Sequence, residues 1–262
     1  MIPQDKALEY LRGVNLMIAL PCYGHMMSMH TARGLIDLAR VAQGIKMPVS
    51  YAYLGNESLI TRGRNQLTHD FLKGGYSHLM FIDADIGFES ARPIIRMLLQ
   101  DLDVIGGAYP TKGIGWAGVI RAHKMNPSAT DADFAMAAGV FACDFLDSPG
   151  RIKTNDPVPV EHIGTGFLQI KRGVFERLLE AKLIPSSIEP MHGERVNKFW
   201  QTGPNDEDEE MSEDYYFCYL CHKLGIKIHL LPDVILSHVG TYIFQGSIRA
   251  SARFIASDTA AL

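Results

Sequence analysis

Short apolar runs and stretches of helical period alternate along the first half of the chain. "VNLMIAL" (14–20) reads as a strand that Pro21 ends, and "VSYAYL" (49–54), "HLMFI" (78–82) and "DVIGG" (103–107) read as the next three. Between them, "TARGLIDLARVAQ" sets Leu35, Leu38, Ala39 and Ala42 at i, i+3, i+4, i+7, the stripe of an amphipathic helix. "ITRGRNQLTHDFLKGG" predicts a second helix stopped by Gly74 and Gly75, and "ARPIIRMLLQ" a third. This alternation predicts a parallel sheet with helices on its faces. After Gly107 the rhythm loosens. "FAMAAGVFACDFL" (134–146), "GFLQI" and "KIHLL" read as strands between longer loops, with helices over "KRGVFERLLEAK" and after Ser212. No repeat or linker interrupts the chain, so one α/β domain over 1–262 is expected, regular in its first half and irregular in its second.

Composition narrows the partners. With 262 residues, 47% hydrophobic, 21% charged and a formal net charge of −4, the chain has length for a real core but no basic excess to suit nucleic acid or an anionic membrane surface. No apolar stretch approaches a membrane span, and the opening "MIPQDKALEYLRG" lacks a signal core, so a cytoplasmic setting is expected. The scattered Cys22, Cys143, Cys218 and Cys221 are too few for a disulfide framework. Two motif matches fail on physical grounds. "GIGWAG" (113–118) has the letters of a dinucleotide loop, but "AYPTK" separates it from its strand and no strong helical pattern follows, so a flexible or closely packed loop is expected. "CYLCH" (218–222) has the letters of a haem attachment site, yet Phe217, Leu220, Cys221 and Leu224 form a helical stripe in which a cysteine packs as a small hydrophobe.

Candidate chemistry begins where the third run ends. "HLMFIDADIGF" (78–88) places Asp83 and Asp85 behind a buried strand. If the strand continues, both project on one face with Ala84 turned away, and two charges that close need a cation or a donor network between them. An Asp-rich turn capping its own backbone is the plainer reading. In open α/β sheets, however, ligands bind at the carboxyl ends of strands, which favours a site. Glu213 and Asp214 open a helix in "SEDYYF", where the helix dipole favours carboxylates and one alone suffices as a cap. His238 ends the apolar run of "DVILSHVG" and becomes a metal ligand if the chain end folds back over the sheet; otherwise it is an ordinary histidine. Gly164, Thr165 and Gly166 precede a strand in "IGTGFLQI", where missing side chains either admit a ligand or form a simple turn.

In order and approximate spacing, this Asp-X-Asp, the Gly-Thr-Gly strand start, the Glu-Asp helix start and the late His resemble a GT-A glycosyltransferase over nearly the whole chain, and within that family the small soluble members of viruses and phages. The resemblance implies a Rossmann-like fold with a mixed, mainly parallel central sheet. It implies a nucleotide-sugar donor (UDP-sugar favoured over GDP-sugar), Mn2+ or Mg2+ as cofactor, and transfer to the hydroxyl of a glycan or other acceptor. Residues 1–110 become the nucleotide-binding half and 111–262 the acceptor and catalytic half. Carried over by position, Asp85 binds the metal, Asp83 contacts the ribose or the metal through water, and His238 completes the metal shell. Pro21 and Tyr23 of "PCYG" wall the base; Arg62 of "ITRGRN" is the donor-side arginine, with Arg64 as the neighbouring alternative; Gly164, Thr165 and Gly166 lie against the donor. Asp214 is the base of an inverting transfer, with Glu213 beside it. The acidic run "NDEDEE" (205–210) becomes part of a mobile lid, with Trp200 and Gly203 upstream. The chemistry is coherent: a divalent cation stabilises the departing diphosphate, an imidazole ligand shifts preference toward Mn2+, and a carboxylate takes the acceptor proton.

Other readings stay open. A haloacid-dehalogenase-type phosphohydrolase also puts Asp-X-Asp after an apolar strand, with the first aspartate (here Asp83) as nucleophile. Ile86 and Gly87 depart from that pattern, and the pair follows the third strand rather than the first. A sugar nucleotidyltransferase wants a glycine-rich basic loop after strand one, which "PCYGHMMSMH" is not. A non-catalytic nucleotide-sugar binder would have no use for Asp214.

Overall fold

The apolar runs of the first half form adjacent strands in the computed structural model, which describes residues 1–146, 156–189 and 193–241. A helix that the pattern did not suggest, Ala7–Gly13 (α1), precedes the first strand, Leu16–Cys22 (β1). β1 lies between Val49–Gly55 (β2) and His78–Ile82 (β3) and pairs with both in parallel. It runs through Pro21 rather than stopping there. β3 pairs only as far as Ala19, so at Pro21 the strand has one neighbour, an edge-like position that tolerates a missing N–H. The linking helices are Met29–Ile45 (α2), whose Thr31 N–H donates to the Ser28 hydroxyl, Ile60–Lys73 (α3), closed by Gly74, and Arg92–Gln100 (α4).

Val104–Gly106 (β4) follows, then Trp116–Met125 (α5), Asp131–Ala137 (α6), Cys143–Phe145 (β5) and Val158–Ile163 (β6). Phe167–Lys171 (β7), Arg172–Glu180 (α7), Glu213–Lys223 (α8) and Ile228–Leu230 (β8) complete the main elements. One sheet gathers all eight strands in the order β2-β1-β3-β7-β4-β8-β6-β5. β6 and β7 run against the other six; because both lie inside the sheet, only three of its seven pairings are parallel. The fold is thus a single α/β domain with a mixed central sheet, most strands sharing one direction, flanked by helices.

Both faces are covered. On one, Met17, Leu79 and Phe81 meet Phe71, Phe175, Phe217 and Trp200; on the other, Leu16, Met80 and Ile82 meet Leu38, Ile94 and Leu98. Burial on two sides is why "HLMFI" shows no apolar–polar alternation.

The second half departs from its pattern in particular places. "FAMAAGVFACDFL" is not one strand: Thr130 and Asp133 close a capping box that starts α6, and only Cys143–Phe145 is extended. A helix does follow inside "GIGWAG", since α5 begins at Trp116; Gly118 lets it approach α6, where a Cβ would lie 2.4 Å from the Ala137 carbonyl oxygen. Trp200 is a core residue rather than part of a lid. It is fully buried, its Nε1 donates to Thr68 Oγ1 at 2.8 Å, and the Asn65 side chain bonds its backbone in both directions. The acidic run tips a hairpin in which Gly203–Pro204 pairs with Glu210–Met211. Cys218 and Cys221 lie buried and unlinked in α8, on the face its stripe defines. No described helix is long and apolar enough to cross a membrane.

Candidate active site

β3 stops at Ile82. A turn follows, closed by the Ile86 N–H on the Asp83 carbonyl at 3.0 Å, so Asp83 and Asp85 do not share a face as strand spacing predicts. Beyond the turn, Ile86–Gly87 pairs antiparallel with Ser237–His238, and the Val239 N–H donates to the Asp85 carbonyl at 2.8 Å. The chain thus folds back onto the turn. Glycine at 87 permits the approach, because a Cβ there would lie 2.4 Å from Ser237 Oγ and 2.6 Å from His30 Cβ. From the other side, the Thr31 hydroxyl lies 3.0 and 2.9 Å from the carbonyls of Ala84 and Ile86, anchoring the turn to α2.

Asp83 turns inward. Arg64, buried on α3, grips it: Nη2 donates to Oδ2 at 3.0 Å and Nη1 lies 3.0 Å from Oδ1. Burial opposes the Arg64 charge, but Asp83 and then Glu213, whose Oε1 lies 3.8 Å from Nε, outweigh it and raise its pKa. Arg62 is engaged elsewhere, donating to Glu57 at 2.6 and 2.8 Å, so Arg64 is the arginine brought to the Asp-X-Asp turn. A signal for this exists in the sequence: Arg64, Leu67, Thr68 and Phe71 stand at i, i+3, i+4, i+7 and form the buried stripe of α3.

Glu213 sits behind Arg64. Burial first, and the neighbouring Asp214 charge second, push its carboxyl up, with Arg64 pulling the other way. Asp214 belongs to a separate network, its Oδ1 accepting from Ser212 Oγ at 2.5 Å and from the Tyr215 N–H at 2.9 Å.

Asp85 turns outward. Lys112 Nζ lies 2.6 Å from its Oδ2, and His238 Nε2 lies 3.3 Å from the same oxygen. The Pro110 carbonyl, 2.9 Å from His238 Nδ1, only accepts, so Nδ1 donates to it and Nε2 is the ring nitrogen turned to Asp85. Metal-binding histidines are oriented in this way, with the far nitrogen donated to a carbonyl. Among the described residues no three His, Cys, Asp or Glu side chains cluster as a complete metal site, and Asp83 of the expected set has its carboxylate on Arg64. Asp85 and His238 are thus the two side chains that the described residues offer to a cation at this turn.

Tyr109 joins the two sides. Its ring meets that of His238 edge-on at 5.5 Å, and its hydroxyl accepts the Gly166 N–H at 3.3 Å. Burial and then the Asp83 charge push its phenol well above the usual range. The Gly-Thr-Gly segment makes room for these groups: a Cβ on Gly164 would lie 2.3 Å from Tyr109 Oη, and one on Gly166 2.9 Å from Asp83 Oδ2. Thr165 between them is buried. Pro21 lies in β1, next to β3, and Tyr23 just beyond the strand's end, exposed in a turn where Gly24 has a φ of 66°. Tyr109 and Lys112 fall in "AYPTK", a spacer with no periodic signal. Burial pushes the thiols of Cys143 and Cys218 up to about 12, which removes both as nucleophiles at neutral pH.

No family model and no curated protein matches this chain. Among solved structures it overlaps A197 from STIV at 16% identity and a TM-score of 0.45, over 89% of this chain and 98% of that one. The nucleoside-diphosphate-sugar pyrophosphorylase from Vibrio cholerae RC9 overlaps at 9% identity and a TM-score of 0.37, over 82% of this chain and 90% of that one. A CMP:2-keto-3-deoxy-manno-octonic acid synthetase complexed with CTP overlaps at 11% and 0.37, over 94% and 99%. Overlaps this loose leave the chemistry to the side chains of the site.

Proposed function

We propose that the chain is a metal-assisted glycosyltransferase that moves a sugar from a nucleoside-diphosphate sugar to an acceptor hydroxyl, with inversion. One observation carries the reading: His238 Nε2 and Asp85 Oδ2 face each other across 3.3 Å where β3 ends, with Glu213 of the acid pair 3.8 Å from Arg64 Nε. A divalent cation held by Asp85 and His238 supplies charge stabilisation to the departing diphosphate. Asp83, fixed by Arg64, holds the turn and faces the ribose side. Pro21 and Tyr23 at the end of β1 wall the base, so residues 1–110 take the nucleotide and the later half brings the acceptor. Asp214, oriented by its two donors on Oδ1, takes the acceptor proton, and Glu213 supports it. UDP is the favoured nucleotide.

The phosphohydrolase alternative requires Asp83 to attack phosphorus. With both oxygens 3.0 Å from a buried guanidinium, that carboxylate is a poor nucleophile. The test is incubation with a panel of nucleotide sugars and Mn2+, with released nucleotide as the readout. Nucleoside diphosphate that appears only with metal, and not from Asp85→Ala, supports transfer. Orthophosphate or nucleoside monophosphate as product, or no metal-dependent release from any donor, overturns it.

A further inference from the structure

His238 also lines a cavity of about 700 Å3, whose apolar walls the proposed chemistry does not use. Its wall comes from the loop after β4, from the stretch joining α6 to β5, and from the chain between β8 and His238. Ile114, Met136, Phe141, Phe145, Val234 and Leu236 make most of it apolar. Among the described residues no acid lines it, and the charged or ring nitrogens it offers are those of Lys112 and His238, which meet at Asp85. Met136 and Phe141 are 60% and 49% exposed, apolar side chains left to solvent around a concave site. The edge strand β5 separates this cavity from a different one. Cys143 and Phe145 face the apolar side, while Asp144 faces a cavity of about 710 Å3 rimmed by Glu161, Glu207, Glu209 and Glu210. Apolar walls with polar groups at one end are the usual form of a small-molecule site.

We propose that the apolar cavity binds the body of an amphiphilic acceptor whose hydroxyl-bearing head lies at Lys112 and His238. The inference rests on the transferase reading and names its second substrate. The donor's base and ribose lie toward β1 and its diphosphate at Asp85 and His238, which leaves the cavity beside β4, β8 and β5 for the acceptor. The occupant is one molecule, held in a concavity, rather than a lipid surface.

Calorimetry on the full chain with octyl β-glucoside below its micelle concentration, against methyl β-glucoside with the same head, tests this. Each buried methylene adds roughly fourfold to affinity, so octyl glucoside should bind at least about a hundredfold more tightly. Phe141→Glu should weaken it at least about tenfold without shifting the melting temperature, whereas Ile120→Glu, an exposed apolar position on α5 outside the cavity, should leave it unchanged. Equal affinities for the two glucosides, or equal losses in the two variants, would overturn the proposal, the second outcome marking adsorption to exposed apolar surface. Mn2+-dependent UDP binding on the same samples separates the two readings. Intact UDP binding with no preference for the octyl chain removes the cavity proposal alone; octyl glucoside binding without UDP binding overturns the cavity's role as acceptor site together with the transferase reading.

Discussion

Asp83 and Asp85 leave the same strand two residues apart, and the fold treats them as opposites. Asp83 is drawn under α3 to an arginine whose side chain is 4% exposed; Asp85 stays in the open, paired with a lysine that is 48% exposed. Breaking a buried charge pair is costly because the survivor stays dry and uncompensated, whereas an exposed pair contributes little. The first aspartate therefore fixes the turn, and the second remains free to exchange its lysine for another cation. Stability and exchangeability are divided between neighbours, and the turn that separates their side chains is what divides them.

Removing the buried partner should have the largest effect. Arg64→Met leaves Asp83 without its cation and should cost about 3–5 kcal/mol in chemical denaturation. A loss below about 1 kcal/mol would mean that Asp83 is solvated after all and that the contrast is weaker than drawn.

Next comes the acid pair beyond Arg64. Asp214→Asn keeps an oxygen for Ser212 and Tyr215 and should bind donor and Mn2+ nearly normally, yet transfer sugar at least about a hundredfold more slowly. Single-turnover transfer beside donor calorimetry decides this. Near-normal transfer would sink the assignment of the base, and a larger loss in Glu213→Gln would move the role one residue back.

On the open side, Asp85→Ala should change unfolding free energy by less than about 1 kcal/mol while weakening Mn2+-dependent UDP binding at least about tenfold. Undiminished binding in calorimetry would refute Asp85 as a ligand. A stability loss as large as that of Arg64→Met would erase the difference between the two aspartates.

The smallest effect is a pH dependence. The folded-state pKa of Glu213 is raised, so the folded form holds its proton more tightly than the unfolded chain. Wild-type stability should fall as pH rises from the ordinary glutamate value of 4.5 through the raised one, and Glu213→Gln should lack this loss. Urea denaturation of both proteins between pH 4 and 7 measures the gap. A gap that moves the opposite way would show that Arg64, rather than burial, governs Glu213.

Much of this frame was legible in the chain. The strands at 49–54, 78–82 and 103–107 and the helices between them stand close to where periodicity puts them, because an amphipathic or fully apolar segment reports its own burial. β6 was not legible: Pro159 and the polar Glu161 and His162 break its run, and only pairing with β8 and β5 makes it a strand. Arg62 and Arg64 illustrate the limit within a helix. Two positions apart, they point about 200° from each other, so at most one faces the sheet. The buried stripe of α3 selects Arg64, but a charged residue on such a stripe reads as an exception until its partner is known.

Periodicity along each segment thus determined the α/β class, the first-half elements and the placing of carboxylates behind a buried strand. It acts over a few residues, where side-chain direction follows from backbone geometry alone. Tertiary structure decided which groups meet: Arg64 with Asp83 across 19 positions, Lys112 with Asp85 across 27, and His238 with both Asp85 and the Pro110 carbonyl. Those contacts depend on where a turn ends a strand and where a glycine lets the chain return, which no local period encodes.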